Sequence, residues 1–327
     1  MNIDREYIGI LLGGLYGFVY RLLCEYDVLR NLTVGDWFDF NIYSISFIWV
    51  LPIVISVIPL LMAQEEVIEK TWKQIMYPIF SVFLFFISSL STGLEDWLCI
   101  LILGFPYFLV AGIIGMIVGT IVERINAKKF YSILLLPFII MPIESQFQNQ
   151  QQNFIVENAI IINAEKPIVW NHIIEVPEIK SAEYDYGFFN YIGIPRPVKS
   201  QLETIDGEEF RVGYFSDDLK LYETISEKDS LNFVNFKINL EKSQLRDLPT
   251  DKHLLQSDYF KFEDIAYRLE TLENGQTKLI LSCHYMMQSK MNRYANFWAT
   301  KVIADFEVKL LKVLKGKVEN EVKQKSS

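Results

Sequence analysis

Histidine and cysteine are scarce, three of each in 327 residues. Cys24, Cys99 and Cys283 form no CxxC pair and keep no fixed spacing to a histidine, so neither a zinc site nor a disulfide framework is indicated. His172, His253 and His284 are far apart and lack metal-ligand spacing. Basic residues are in deficit, 31 Lys and Arg against 40 Asp and Glu, a net charge of −9. A nucleic-acid partner needs a basic surface, and no cluster of Lys and Arg interleaved with aromatics supplies one. Also missing are GxSxG, a P-loop, a Rossmann glycine pattern and HExxH. No nucleophile has a base assigned to it, and no cofactor or metal is expected.

Charge is nearly absent from long stretches before Glu144, and these runs of Leu, Ile, Phe, Val and Gly are the positive feature of the first half. A membrane span needs roughly 20 apolar residues to cross about 30 Å of hydrocarbon. Tyr7 to Cys24, Ile45 to Ala63, Trp72 to Leu90 and Trp97 to Val122 meet that length. Phe130 to Ile143 is a shorter fifth segment with Pro137 and Pro142, read as a span or as a re-entrant or interfacial piece. Arg21 is placed to snorkel from the end of the first span. Arg5, the Lys70/Lys73 pair and the Arg124/Lys128/Lys129 group fall on one side if all five segments cross. Acidic Glu25, Asp27, Asp36, Asp39, Glu95 and Asp96 fill the other connections, where Arg30 is the lone base. The N-terminus is then cytoplasmic, in a bacterial inner membrane, and the C-terminal domain extracytoplasmic; without the fifth crossing the domain is cytoplasmic. The first apolar stretch has no small-residue cleavage site after Asp4, Arg5 and Glu6, so it is expected to stay as a span.

Gly9, Gly13 and Gly17, and likewise Ala111, Gly115 and Gly119, recur every fourth residue. Small residues at that spacing let helices approach closely, as a packing seam or a self-association face. The interiors of spans two to five carry no ionisable residue, so the bundle reads as an anchor or scaffold.

After Glu144 the composition changes, and charged residues appear every few positions. The expected layout is a membrane region over 1–146, a linker over 147–152, a soluble domain over 153–320 and a tail over 321–327. The soluble part opens with a strand-like run at Asn153, then a helix begun by Pro167 and broken by Pro177. Strand-like runs follow at 199–205, 209–216, 219–226, 231–240, 259–271 and 276–287. Asp206-Gly207, Asp217-Asp218 and Asn274-Gly275 supply turn chemistry. A long amphipathic helix over 292–317 carries Phe297, Trp298, Val302, Ile303, Phe306, Leu310, Leu311 and Leu314 in its apolar stripe. The remaining charged tail reads as a frayed helix end.

This order, with FIVENAIIINAEKPIVWNHI at its start, GIPRPVKSQL, Arg211, Phe215, Glu223 and LNFVNFKI in its centre, and NRYANFWATKVIADFEVKLLKVLK at its end, resembles the SRPBCC superfamily. That is the helix-grip fold of START lipid-transfer domains, the birch-pollen allergen and polyketide cyclases. The resemblance is to its polyketide cyclase/dehydrase and lipid transport subgroup, over nearly all of 153–320. Asp218 departs from the pattern, standing where a glycine is expected in a hairpin. The resemblance implies an α+β fold, a curved antiparallel sheet around the C-terminal helix, after the transmembrane bundle. It also implies an apolar pocket between sheet and helix for a hydrophobic or lipid-like small molecule.

Candidate lining residues are Phe215, Tyr222, Phe233, Tyr267 and Tyr285 on strands, and Tyr294, Phe297, Trp298 and Ile303 on the helix; each taken singly reads more simply as a core side chain. Arg211 and Glu223 sit on consecutive strands, where a three-residue loop sets them opposite each other, to hold a polar head group or to brace the sheet. Arg196 reads as an exposed loop residue near the pocket mouth, and His253 as part of a charged loop. Of the three histidines His284 alone is a candidate to face the pocket and act as general base, and its simpler reading is a satisfied or exposed histidine. Three functions stay open: a tethered binding or transfer protein, a cyclase or dehydratase that uses an inward acid/base pair such as His284 with Glu223, and a ligand-responsive sensor or assembly factor.

Overall fold

The structure is a computed structural model that describes residues 5–26, 40–124, 131–205 and 207–326. Asp4, Asp27, Arg30, Asp36, Asp39, Lys128, Lys129, Phe130 and Asp206, on which expectations above draw, lie outside the described residues. The chain divides into two compact units, Met1–Gln150 with Ser289–Met291, and Gln151–Gln288 with Asn292–Ser327.

The first unit is helical: α1 (Arg5–Tyr26), α2 (Leu51–Met62), α3 (Glu65–Ile68), α4 (Thr71–Ser91), α5 (Trp97–Arg124) and α6 (Leu136–Ser145). Among the described residues three helices are long and apolar enough to cross a membrane, Tyr7–Tyr26, Thr71–Ser91 and Trp97–Val118. Two of the expected spans fall below that length as helices. Ser46–Met62 begins as a π-helical turn and stops where Ala63 turns extended. Tyr131–Leu135 is a 3₁₀ turn before α6, and at about 2.0 and 1.5 Å per residue the two pieces extend roughly 25 Å.

The glycines of α1 pack inside this unit. A Cβ on Gly9 would meet Pro59 Cα at 2.9 Å, and one on Gly13 would meet the Ile55 carbonyl at 2.8 Å. One on Gly115 would meet the Gln74 carbonyl at 2.5 Å. The seams are therefore filled by α2 and α4 of the same chain. Arg21 does not snorkel. It is fully buried, with Nε donating to Glu95 Oε1 at 2.6 Å, Nη2 to the Leu94 carbonyl at 2.8 Å and Nη1 to Glu25 Oε2 at 3.0 Å. A guanidinium that finds three acceptors inside the bundle has no need to reach water. Buried Glu144 of α6 accepts from the Ile45 and Ser46 amides at 2.6 and 3.0 Å, at the start of the helical stretch that leads into α2, where N–H groups lack a partner within the helix.

The second unit is one seven-stranded antiparallel sheet in the order β1-β7-β6-β5-β4-β3-β2. The strands are β1 (Gln151–Ile162), β2 (Pro197–Ile205), β3 (Glu208–Phe215), β4 (Lys220–Asp229), β5 (Phe233–Gln244), β6 (Phe260–Thr271) and β7 (Thr277–Gln288). Between β1 and β2 lie α7 (Lys166–Ile174) and the single turn α8 (Phe188–Tyr191); α9 (Pro249–Leu255) precedes β6 and contains His253, which is not in a loop. The closing helix α10 (Asn292–Ser326) packs on β1, β7 and α7. This is the helix-grip arrangement.

Glycine takes the positive φ at Gly207 (84°) and Gly275 (71°), as those turns require. In the β3–β4 loop Asp217 and Asp218 adopt φ of 60° and 59° themselves, a conformation Asp tolerates better than most residues. Where the charged end begins, the helix is packed and not frayed. Val318 is fully buried, Lys317 Nζ donates to the Glu178 carbonyl at 2.7 Å, and Glu319 accepts from the Asn163 amide at 3.0 Å.

Candidate functional site

Side chains alternate across a strand, so the register decides which of them face α10. Tyr267 pairs with Val234 on β5 and Leu281 on β7, and all three are buried in one apolar cluster with Leu310, Leu311 and Leu314 of α10. Cys283, Tyr285 and Met287 continue that face of β7 against Ala295, Ala299 and Ile303. The fully buried Tyr285 gives its hydroxyl hydrogen to Asn296 Oδ1 at 2.7 Å.

On β3 and β4 the same face is polar at its centre. Arg211 stands opposite Glu223 in the register, and both are buried. Arg211 Nη1 donates to Glu223 Oε2, Nε donates to the Ile174 carbonyl at 3.0 Å, and the guanidinium lies 4.7 Å from the Phe236 ring centre. Burial works against the guanidinium charge, but Glu223 beside it outweighs that cost and the Arg211 pKa shifts upward. Burial pushes the Tyr267 hydroxyl up to about 12, with the nearby Arg211 charge opposing it. Arg211, Glu223 and Tyr267 thus form a buried polar centre on the face that grips the helix.

Phe215 lies at the end of this face, its ring 6.1 Å from Phe306 of α10. Val302, one turn before Phe306, shares the flank of the helix that meets Phe215, and Tyr294 and Trp298 lie in the first turns of α10. Tyr294 and Trp298 are half-buried there.

Four sequence candidates are not where the sequence reading put them. Tyr222 precedes Glu223 on β4 and projects to the opposite face, edge-on to Phe210 at 6.0 Å. Phe233 pairs with Arg268, one place out of step with Val234 and Tyr267, and so also faces away. His284 lies between Cys283 and Tyr285 and points outward, 39% exposed and 2.8 Å from Asp264 Oδ1. It is not an inward base, and it cannot act with Glu223 across the sheet. Phe297 is 54% exposed. Arg196 is a brace, with Nη1 on the Ile179 carbonyl at 3.0 Å and its backbone paired to Ser216.

One residue of this interior went unnoticed in the sequence. Glu307 is buried in the middle of the helix face that meets the sheet, with Oε2 accepting from Asn158 Nδ2 at 2.7 Å and Oε1 without a partner. Burial pushes its pKa up to about 8. Its place in the stripe, four residues after Ile303 and four before Leu311, was the signal. A separate open cleft of about 390 Å³ is lined by Asp217, Asp218 and 244–248. Its aspartates and open shape suit water better than an apolar ligand.

No family model matches the chain, and no curated protein matches it. Solved structures do. The ZhuI aromatase/cyclase from Streptomyces sp. R1128 is similar at 14% identity and TM-score 0.34, over 52% of this chain and 96% of that one. A protein of unknown function from Staphylococcus aureus is similar at 10% and 0.33, over 53% and 98%. A norcoclaurine synthase point mutant from Thalictrum flavum, in complex with a transition-state analogue, is similar at 8% and 0.33, over 53% and 99%. At these identities and scores the likeness carries neither substrate nor activity to this chain.

Proposed function

We propose that this is a membrane-anchored protein whose helix-grip unit binds a hydrophobic, lipid-like small molecule between the inner sheet face and α10. The observation that carries this reading is the composition of that face: an apolar lining interrupted by one buried polar centre, Arg211, Glu223 and Tyr267. Such a surface holds an apolar body by removing it from water, at about 25 cal/mol per Å², and orients it through few polar groups. Phe215, Tyr285, Tyr294, Trp298 and Ile303 are the further lining residues of this proposal. The apolar helices Tyr7–Tyr26, Thr71–Ser91 and Trp97–Val118 support the anchor. Anchoring keeps the pocket where lipids are concentrated. The proposed topology has five crossings of a bacterial inner membrane, a cytoplasmic N-terminus and the grip unit outside.

The test is native mass spectrometry of the purified full chain. A lipid-like species bound near one-to-one, and lost in Phe215→Ala, supports the reading; an empty chain that ignores a broad lipid panel contradicts it. The cyclase alternative keeps the inner face as its site. It needs a second titratable group there in place of His284, and Glu307 is the residue so placed.

A further inference from the structure

The segment between α7 and β2 joins two parts of the grip. Buried Lys309 of α10 donates to Asn190 Oδ1 at 2.8 Å and to Asp305 Oδ2 at 2.6 Å. Asn190 Nδ2 in turn holds the Ile194 carbonyl at 3.1 Å. At the far end Arg196 and Ser216 exchange backbone and side-chain bonds of 2.9 and 3.1 Å beside Phe215. The segment therefore runs from the helix to the β3–β4 hairpin, alongside the place where Phe306 meets Phe215. It is held by polar side chains turned inward and by Tyr184, which is buried in the core, while three other large aromatics are turned out. Tyr186, Phe188 and Tyr191 are 44%, 59% and 77% exposed.

A soluble surface rarely presents three large rings on a tied-down loop without using them. Tyr and Phe are suited to the headgroup level of a bilayer, where the ring is buried and a hydroxyl stays wet. The same chain carries three helices of membrane-crossing length. Glu183 and Asp185 beside the rings are paired with Lys317 at 3.1 Å and Lys312 at 3.5 Å, so the charges there offset one another and contact would rest on apolar insertion. The geometry points to Tyr186, Phe188 and Tyr191 as a bilayer-contacting element, resting on the membrane and ligand readings above, through which a lipid-like ligand passes between the bilayer and the inner face of the grip.

The test uses the full chain in phosphatidylcholine vesicles, with a fluorophore on Phe188→Cys and, separately, on the hairpin-tip variant Glu273→Cys. Wild-type chain taken through the same labelling is the blank for Cys24, Cys99 and Cys283. Lipid with a nitroxide high on its acyl chain should quench the label at 188 at least about threefold more than at 273, because interfacial rings sit at that depth. Tyr191→Cys should behave like Phe188→Cys and stands in if the latter misfolds. Equal quenching at both sites, in chain that floats with the vesicles, overturns this inference alone. Shielding at 188 that needs a second protein copy and not lipid also overturns it, in favour of a protein interface. A chain that does not float with the vesicles contradicts the membrane reading and this inference together.

Discussion

Arg211 and Glu223 are buried beside an apolar cluster, where each charge depends on the other and the guanidinium also on the Ile174 carbonyl. Removing one partner leaves a buried charge alone, at about 3–5 kcal/mol, whereas replacing both with apolar groups of similar volume is close to neutral. Arg211→Met is therefore expected to lower thermal stability strongly, and Arg211→Met with Glu223→Leu to recover most of it. The double variant should still lose ligand if the pair holds a head group. Unfolding followed by tryptophan fluorescence, beside ligand occupancy, separates bracing from binding. Glu307 makes a different prediction. Its native pKa near 8 lies above the ordinary carboxyl value of 4.5, so the folded chain keeps a proton that the unfolded chain loses. Its contribution is most favourable below pH 4.5 and declines as pH rises from there to about 8. Glu307→Gln should flatten that decline in a melting series across the window. An unchanged slope would contradict a buried, protonated Glu307.

At the scale of elements, the succession of strands along the chain was legible because alternating apolar runs were separated by turn residues such as Asn274-Gly275, whose glycine does take positive φ. Facing was not legible in the same way. Tyr222 with Glu223, and His284 with Tyr285, are adjacent in strands and cannot share a face. Choosing between neighbours needs the register, and bulges between Phe262 and Asp264 and between Ile225 and Glu227 shift that parity inside single strands. Arg21 was misread for a related reason: its partner Glu95 is 74 positions away, and composition cannot show that they meet. The short element Tyr131–Ser145 carries the sidedness proposal, since one crossing more or less moves the grip unit across the bilayer. Glu273→Cys in intact spheroplasts should react with a membrane-impermeant maleimide, after the wild-type blank is subtracted. Protection until lysis would place the unit inside and leave that element as an interfacial piece.

For the molecule as a whole, the account joins an apolar helical unit to a sheet-and-helix unit whose inner face is apolar around one polar centre. Anchoring alone needs no such face, and a pocket alone needs no membrane-length helices. Both serve one purpose if the cargo is itself a membrane constituent. The most direct measurement is native mass spectrometry on the purified 327-residue chain, scored for bound small molecules in wild type and Phe215→Ala. The account predicts one lipid-like molecule per wild-type chain and a marked loss of occupancy in the variant, with the fold retained. Wild-type chain that is folded, empty and indifferent to added lipids would contradict it.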